Sequence, residues 1–253
     1  MSDQDRFLRR LLSVPEAAMR AALWREAFDT RTPEAVLSIV DALLVHLEHR
    51  DDAHRPVYLS LIDFLSSHRA QPYEPRRALY EAARLSENER VCRLLLSAPP
   101  AKDADQAQLK LRSLADDREP SLGERRSWAR TPNRARLLRL LADPDPVVIA
   151  HVLQNPRLTE SDVLRIASRR PTAAAALEAV FHHPRWGSRA EIQRALVYNP
   201  YTPAEIAIGL VELLDRAELF IVSRDPGVSA GIRQRAVATL QARHAARTPT
   251  ETT

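Results

Sequence analysis

Two stretches of this chain punctuate their helices in the same way, and no other feature limits the fold so sharply. "HVLQNPRLTESDVLRIA" (151–167) and "ALVYNPYTPAEIAIGLV" (195–211) each close a helix-forming run at Asn-Pro and restart one at a Thr. Proline has no amide donor and steers the residue before it away from helix. Asn tolerates the left-handed backbone that often closes a helix, and Thr accepts an orphan N–H at the next start. With Asn155 set on Asn199, Val148 falls on Ile192, Val152 on Leu196 and Leu153 on Val197; Thr159 meets Thr202 after a one-residue slip. "HHPRWGS" (182–188) reads as a half-step version between the two. An offset of about 44 residues lies in the range of HEAT and armadillo helical repeats.

Other helix starts follow the capping-box spacing, in which a hydroxyl and a Glu three residues on satisfy each other's backbone donors. It occurs at Ser13/Glu16, Ser86/Glu89, Ser121/Glu124, Ser188/Glu191 and Thr202/Glu205, with Thr159/Asp162 a shorter relative. Thr32-Pro33, Thr131-Pro132 and Thr202-Pro203 add proline at the first helical position, where its missing N–H costs nothing. These marks predict helices near 4–12, 15–28, 33–49, 55–69, 75–85, 87–97, 122–130, 132–142, 145–154, 160–169, 173–182, 188–198, 203–214, 216–223 and 228–245. Only five glycines and an aliphatic content dominated by Ala and Leu agree with helix throughout. No alternating β-branched run marks a strand. The expected fold is all-α, an α-solenoid-like stack of short antiparallel helices with HEAT-like repeats.

Residues 1–97 form an N-terminal helical region on this reading, and 121–246 a helical-repeat region. Between them, 98–120 ("PPAKDADQAQLKLRSLADDREP" at its core) loses apolar periodicity and is expected to be a linker or long loop; 247–253 is expected to be a disordered tail. The N-terminus carries charges where a secretory signal needs an apolar run. No stretch is apolar enough to span a bilayer, so a cytoplasmic location without membrane association is expected. A lone cysteine, Cys92, excludes an internal disulfide and a Cys-based zinc cluster.

The segment "SLGERRSWAR…RLLRLLADPDPVVIAHVLQNPRLTESDVLRIASRRP…HHPRW…RALVYNPYTP" resembles an uncharacterised family of bacterial helical-repeat proteins, similar in style to HEAT repeats and leucine-rich-repeat variants. The resemblance covers roughly 121–225. It implies a fold and carries neither a ligand nor a catalytic residue.

Charge is uneven. Residues 1–120 hold 18 basic and 20 acidic groups, residues 121–253 hold 19 and 13, and nearly all the basic groups are Arg. Arg125, Arg126, Arg130 and Arg134 cluster around Trp128, and Arg169, Arg170 and Arg185, the last beside Trp186, extend the excess. Arg forks and aromatic faces suit macromolecular anchors, so these nine residues are the candidate binding positions. A basic stripe on one curved face would follow a phosphate backbone; arginines scattered over several faces would suit a protein partner. "HLEHRDDAH" (46–54) gathers His46, Glu48, His49, Asp51, Asp52 and His54, but its simplest reading is a polar helix terminus, so no metal is expected. With no Gly-rich phosphate loop, GxSxG elbow or HExxH pattern, no cofactor or catalytic residue is expected either. The functional expectation is a non-catalytic scaffold binding another macromolecule, a protein in the first instance, with nucleic-acid binding through 125–194 as the alternative.

Overall fold

The computed structural model describes residues 2–49, 51–67, 73–95, 102 and 120–245. Every regular element among them is helical. The elements are α1 (Asp3–Ser13), α2 (Ala17–Thr30), α3 (Pro33–Glu48), a 3-10 turn (Asp52–His54), α4 (Arg55–Ser66), α5 (Tyr73–Leu85), α6 (Glu89–Leu95), α7 (Leu122–Arg130), α8 (Arg134–Leu140), α9 (Pro146–Leu153), α10 (Glu160–Ser168), α11 (Ala174–His182), α12 (Ala190–Tyr198), α13 (Ala204–Val211), α14 (Arg216–Arg224) and α15 (Ala230–Ala245). Each predicted helix has its counterpart here. The linker expected over 98–120 lies outside the described residues apart from Lys102 and Pro120, and the tail at 247–253 lies outside them altogether.

The contacts divide the chain into two units. The first joins residues 1–98 to 205–226 and 230–253; the second holds 99–204 and 227–229. The N-terminal helices therefore share a unit with the C-terminal ones, whereas the sequence reading placed the latter with the repeat region.

In the first unit, α2 packs on α4, α3 on α1, α5 and α6, and α14 on α15. Its core holds Leu11, Trp24, Leu43, Tyr58 and Leu61, each fully buried. The Trp24 indole donates to Ser60 Oγ at 3.1 Å. The closing element is the end of α13 and the turn after it, where several carbonyls find side-chain donors. Tyr58 Oη donates to Gly209 O at 2.9 Å, Arg55 Nη1 to Leu213 O at 3.0 Å, and Arg243 Nη1 to Leu214 O at 2.7 Å. Two arginines at a helix C-terminus also complement its negative pole. Beside them, Arg235 Nε lies 2.7 Å from Glu212 Oε1, which also accepts from Thr239 Oγ1 at 2.8 Å. This ion pair is buried, with the Arg235 side chain 4% exposed.

In the second unit, helices pack on the next but one: α9 on both α7 and α11, and α10 on α12. Asn-Pro works differently here from the expectation. Asn199 is extended (φ −86°, ψ 115°), and the sole positive φ at a non-Gly residue among those described belongs to Glu87. The asparagines act through their buried side chains. Asn155 Nδ2 donates to Ala129 O (2.7 Å) and Thr131 O (2.9 Å), while its Oδ1 accepts from Arg157 N (3.0 Å). Asn199 repeats the set on Ala167 O (2.7 Å), Arg169 O (2.9 Å) and Tyr201 N (3.1 Å). Each asparagine thus caps the C-terminus of the helix two before its own, α7 or α10.

The half-step at 182–188 builds the same turn from other residues. His183 Nδ1 accepts from Arg185 N at 3.2 Å. The third residue on donates its amide back to the turn in all three copies: Leu158 to Asn155 O, Trp186 to His183 O and Thr202 to Asn199 O. Leu158, not Thr159, is therefore the counterpart of Thr202, and the register runs without a slip. Replacing Asn155 or Asn199 by Ala strands one buried and one part-buried carbonyl, each costing up to about 1–3 kcal/mol. The two variants are expected to lose similar stability, about 2–4 kcal/mol, read as earlier hydrogen exchange in α7 and α10 respectively. A loss under about 0.5 kcal/mol in either would show that these bonds are not what closes the turns.

Candidate interaction surfaces

The nine candidate residues of the second unit do not converge. Arg125 Nη1 lies 3.4 Å from Asp143, an acid without side-chain exposure. Arg134 meets Asp162 with both guanidinium nitrogens, at 2.5 and 2.7 Å. Arg126 and Arg130 stand four residues apart and so share a side of α7, where Arg130 Nη2 reaches His151 Nε2 on α9 at 3.0 Å. Trp128, two residues from each, faces the other way, and the α8 guanidiniums of Arg136 and Arg139 lie 4.9 and 5.9 Å from its ring centre. Arg169 is half-buried, which pushes its pKa down, with Asp143 opposing. Arg170 is exposed and donates to Tyr198 O. Arg185 stacks 4.1 Å over the Trp186 ring. Trp186 itself is 1% exposed and donates its indole N–H to Leu153 O at 3.0 Å, so in this structure it plugs its turn and presents no face to a partner.

Two groups here carry clear electrostatic signatures. Burial lowers the His151 pKa, and the cations of Arg130 and Arg126 lower it further. The Asp162 carboxyl is held at about 2, chiefly by Arg134, with the Thr159 cap helping against the opposing effect of burial. A folded-state pKa below the ordinary 3.8 contributes stability above that value and loses it as pH falls. With its side chain 1% exposed, Asp162 contributes about 2 kcal/mol at neutral pH. Asp162→Asn is expected to cost about that much at pH 7. In urea titrations across pH the gap between variant and wild type should close from about pH 4 down to pH 2. A gap that does not change with pH would remove the ion pair from the explanation.

The histidine-rich segment of the first unit assembles in part. His54 Nδ1 lies 2.7 Å and His46 Nδ1 3.4 Å from Asp51 Oδ2, and the two rings stack at 3.9 Å with 7° between planes. Burial raises the Asp51 pKa, but His54, the Ala53 amide and His46 together outweigh it and hold the carboxyl low. Three ligand atoms do gather here. However, a bound ion lies in the plane of each ligating imidazole, about 2.0–2.1 Å from its nitrogen, and parallel stacked planes share no such point. The arrangement is a carboxylate holding two imidazoles at the end of α3. Glu48 turns elsewhere, to Arg90 Nε at 2.8 Å.

Sequence reasoning missed a cleft in the first unit. A cleft of about 650 Å³ is lined by Glu48, Arg216, Ala217, Phe220, Ile221, Leu240, Arg243 and His244. Helix α14 forms one wall. It buries Leu219 and Val222 while leaving Phe220 48% and Ile221 56% exposed, so it is apolar on both sides. The signal was in the sequence: "LFIV" (219–222) puts four consecutive apolar residues on one short helix, more than a single buried stripe holds. Arg224 stacks 3.9 Å from the centre of the Phe220 ring. Burial raises the Glu48 pKa against the pull of Arg90.

No family model, no curated protein and no solved structure matches this chain. Among the described residues, no helix is long and apolar enough to cross a membrane.

Proposed function

We propose that the chain is a non-catalytic helical-repeat scaffold whose surface binds another protein. The observation that carries this reading is α14, which leaves Phe220 and Ile221 exposed beside a cleft of about 650 Å³. An apolar patch rimmed by polar groups is the usual mark of a protein interface. In the second unit, the packing of α9 on α7 and α11 and of α10 on α12, with the paired Asn155 and Asn199 caps, supports a HEAT-like, solenoid-like stack. That reading agrees with the resemblance to bacterial repeat proteins. The arginines favour a protein over a nucleic acid as partner. Arg125 and Arg134 are engaged with Asp143 and Asp162, and Arg126 and Arg130 point away from Trp128, so no single basic stripe forms among the candidates.

A photo-crosslinking residue placed at Ile221, in cells that naturally make the chain, tests this. Gly123, with nothing within 4 Å of an added Cβ, serves as the control position. A discrete protein adduct from position 221 alone is the expected result. The absence of an adduct, or adducts that nuclease removes, would overturn the reading. Anisotropy with labelled DNA and RNA should show no binding that weakens steeply with salt.

A further inference from the structure

Resting on that protein-binding reading, we infer that the cleft between α14 and α15 seats an amphipathic helix of a partner protein, one with aliphatic side chains on its inner face and acidic side chains beside them. The apolar floor comes from Ala217, Phe220, Ile221 and Leu240. A groove of about 650 Å³ has the size of ordinary ligand sites. Helix-in-groove recognition fills such a groove with anchors at i, i+3, i+4 and i+7.

Charge selects the occupant. Arg216 lines the cleft, and Arg224 lies over Phe220; Arg243, also in the lining, already donates to the carbonyls of Glu212 and Leu214. The one carboxylate among the described lining residues, Glu48, is joined to Arg90 at 2.8 Å. The remaining acids of this helix start, Asp215 and Glu218, form a capping box with bonds of 2.9 and 2.8 Å. The rim is therefore positive toward a visitor, and a carboxylate beside the apolar anchors meets cations already held over or around the floor. A second copy of this chain fits worse, because a two-fold contact would set these same cations against each other.

Fluorescence anisotropy of the full chain with two labelled helical peptides tests this. Both carry Leu at i, i+3, i+4 and i+7; one is flanked by Glu and the other by Lys. The Glu peptide is expected to bind, to weaken as salt rises, and to lose affinity by about tenfold or more in Phe220→Asp/Ile221→Asp. Both positions are exposed, and circular dichroism checks that the fold survives. Arg216→Glu/Arg224→Glu should reverse the preference in favour of the Lys peptide. Equal binding of both peptides, or of neither, would overturn the inference. So would a dimer in sedimentation that Phe220→Asp dissociates, since the occupant would then be a second copy. A crosslinked protein at position 221 without peptide binding leaves the scaffold reading standing and removes the helical occupant; failure of both removes both.

Discussion

Glu212→Ala will destabilise the first unit by about 3–5 kcal/mol, because it leaves the Arg235 guanidinium charged and unpaired in the interior. Arg235 is almost wholly enclosed, and Glu212 also holds Thr239. Deleting one partner of such a pair costs far more than deleting both. Glu212→Leu combined with Arg235→Met is therefore expected to recover most of the loss. Hydrogen exchange over α13 and α15 reads the effect where it arises, independently of the second unit. If the double variant is as unstable as Glu212→Ala, the loss comes from packing around position 212 and not from the stranded charge.

Gly187→Ala has the second large expected effect, at least about 3 kcal/mol. A Cβ at 187 would lie 1.8 Å from Phe181 O and 2.9 Å from Phe181 C, and a backbone carbonyl cannot turn aside as a side chain can. The turn that holds His183 and Trp186 must open, and Trp186 should move toward water with a red shift of its emission. Gly209→Ala provides the contrast. Its Cβ meets Cδ1 and Cγ2 of the Ile62 side chain, each at 2.8 Å, atoms that a companion Ile62→Ala removes. Gly187→Ala has no comparable rescue, and an emission spectrum unchanged from wild type would contradict the clash.

The helices were legible because short-range chemistry makes them: breaks at proline, few glycines, and apolar residues at helical spacing. The caps were half legible. Ser121, Thr159 and Thr32 cap as the spacing predicts. Ser13 turns back to Arg10 O, Ser86 to Ala82 O, Thr131 to Trp128 O and Thr202 to Leu196 O. A hydroxyl near a helix end has acceptors on both sides, and spacing alone does not say which it takes. Meanwhile Asn88, Asn133, Asp145 and Asp215 supply caps that a search for Ser and Thr passes over. The asparagine struts were visible as a repeated Asn-Pro, but their work was hidden, since it depends on which earlier helix end comes within reach. The cleft was hidden for the same reason: it sets Glu48 among residues 216–244, and local pattern carries no information about that meeting. The basic cluster was plain in the sequence, but how an arginine run on a short helix is split among its sides was not.

The first unit takes its parts from both ends of the chain, and that orders events during synthesis. Tyr58 and its acceptor Gly209 are 151 residues apart, so at about 5–20 residues per second the ribosome needs roughly 8–30 s to make the second after the first. Through that interval α3 and α4 have their earlier neighbours α1, α2, α5 and α6 but lack α13 and α15, so Tyr58 has no Gly209 carbonyl to donate to. The second unit, continuous from α7 to α12, is complete sooner after its first helix appears. The nascent chain is thus expected to complete its second unit before its first.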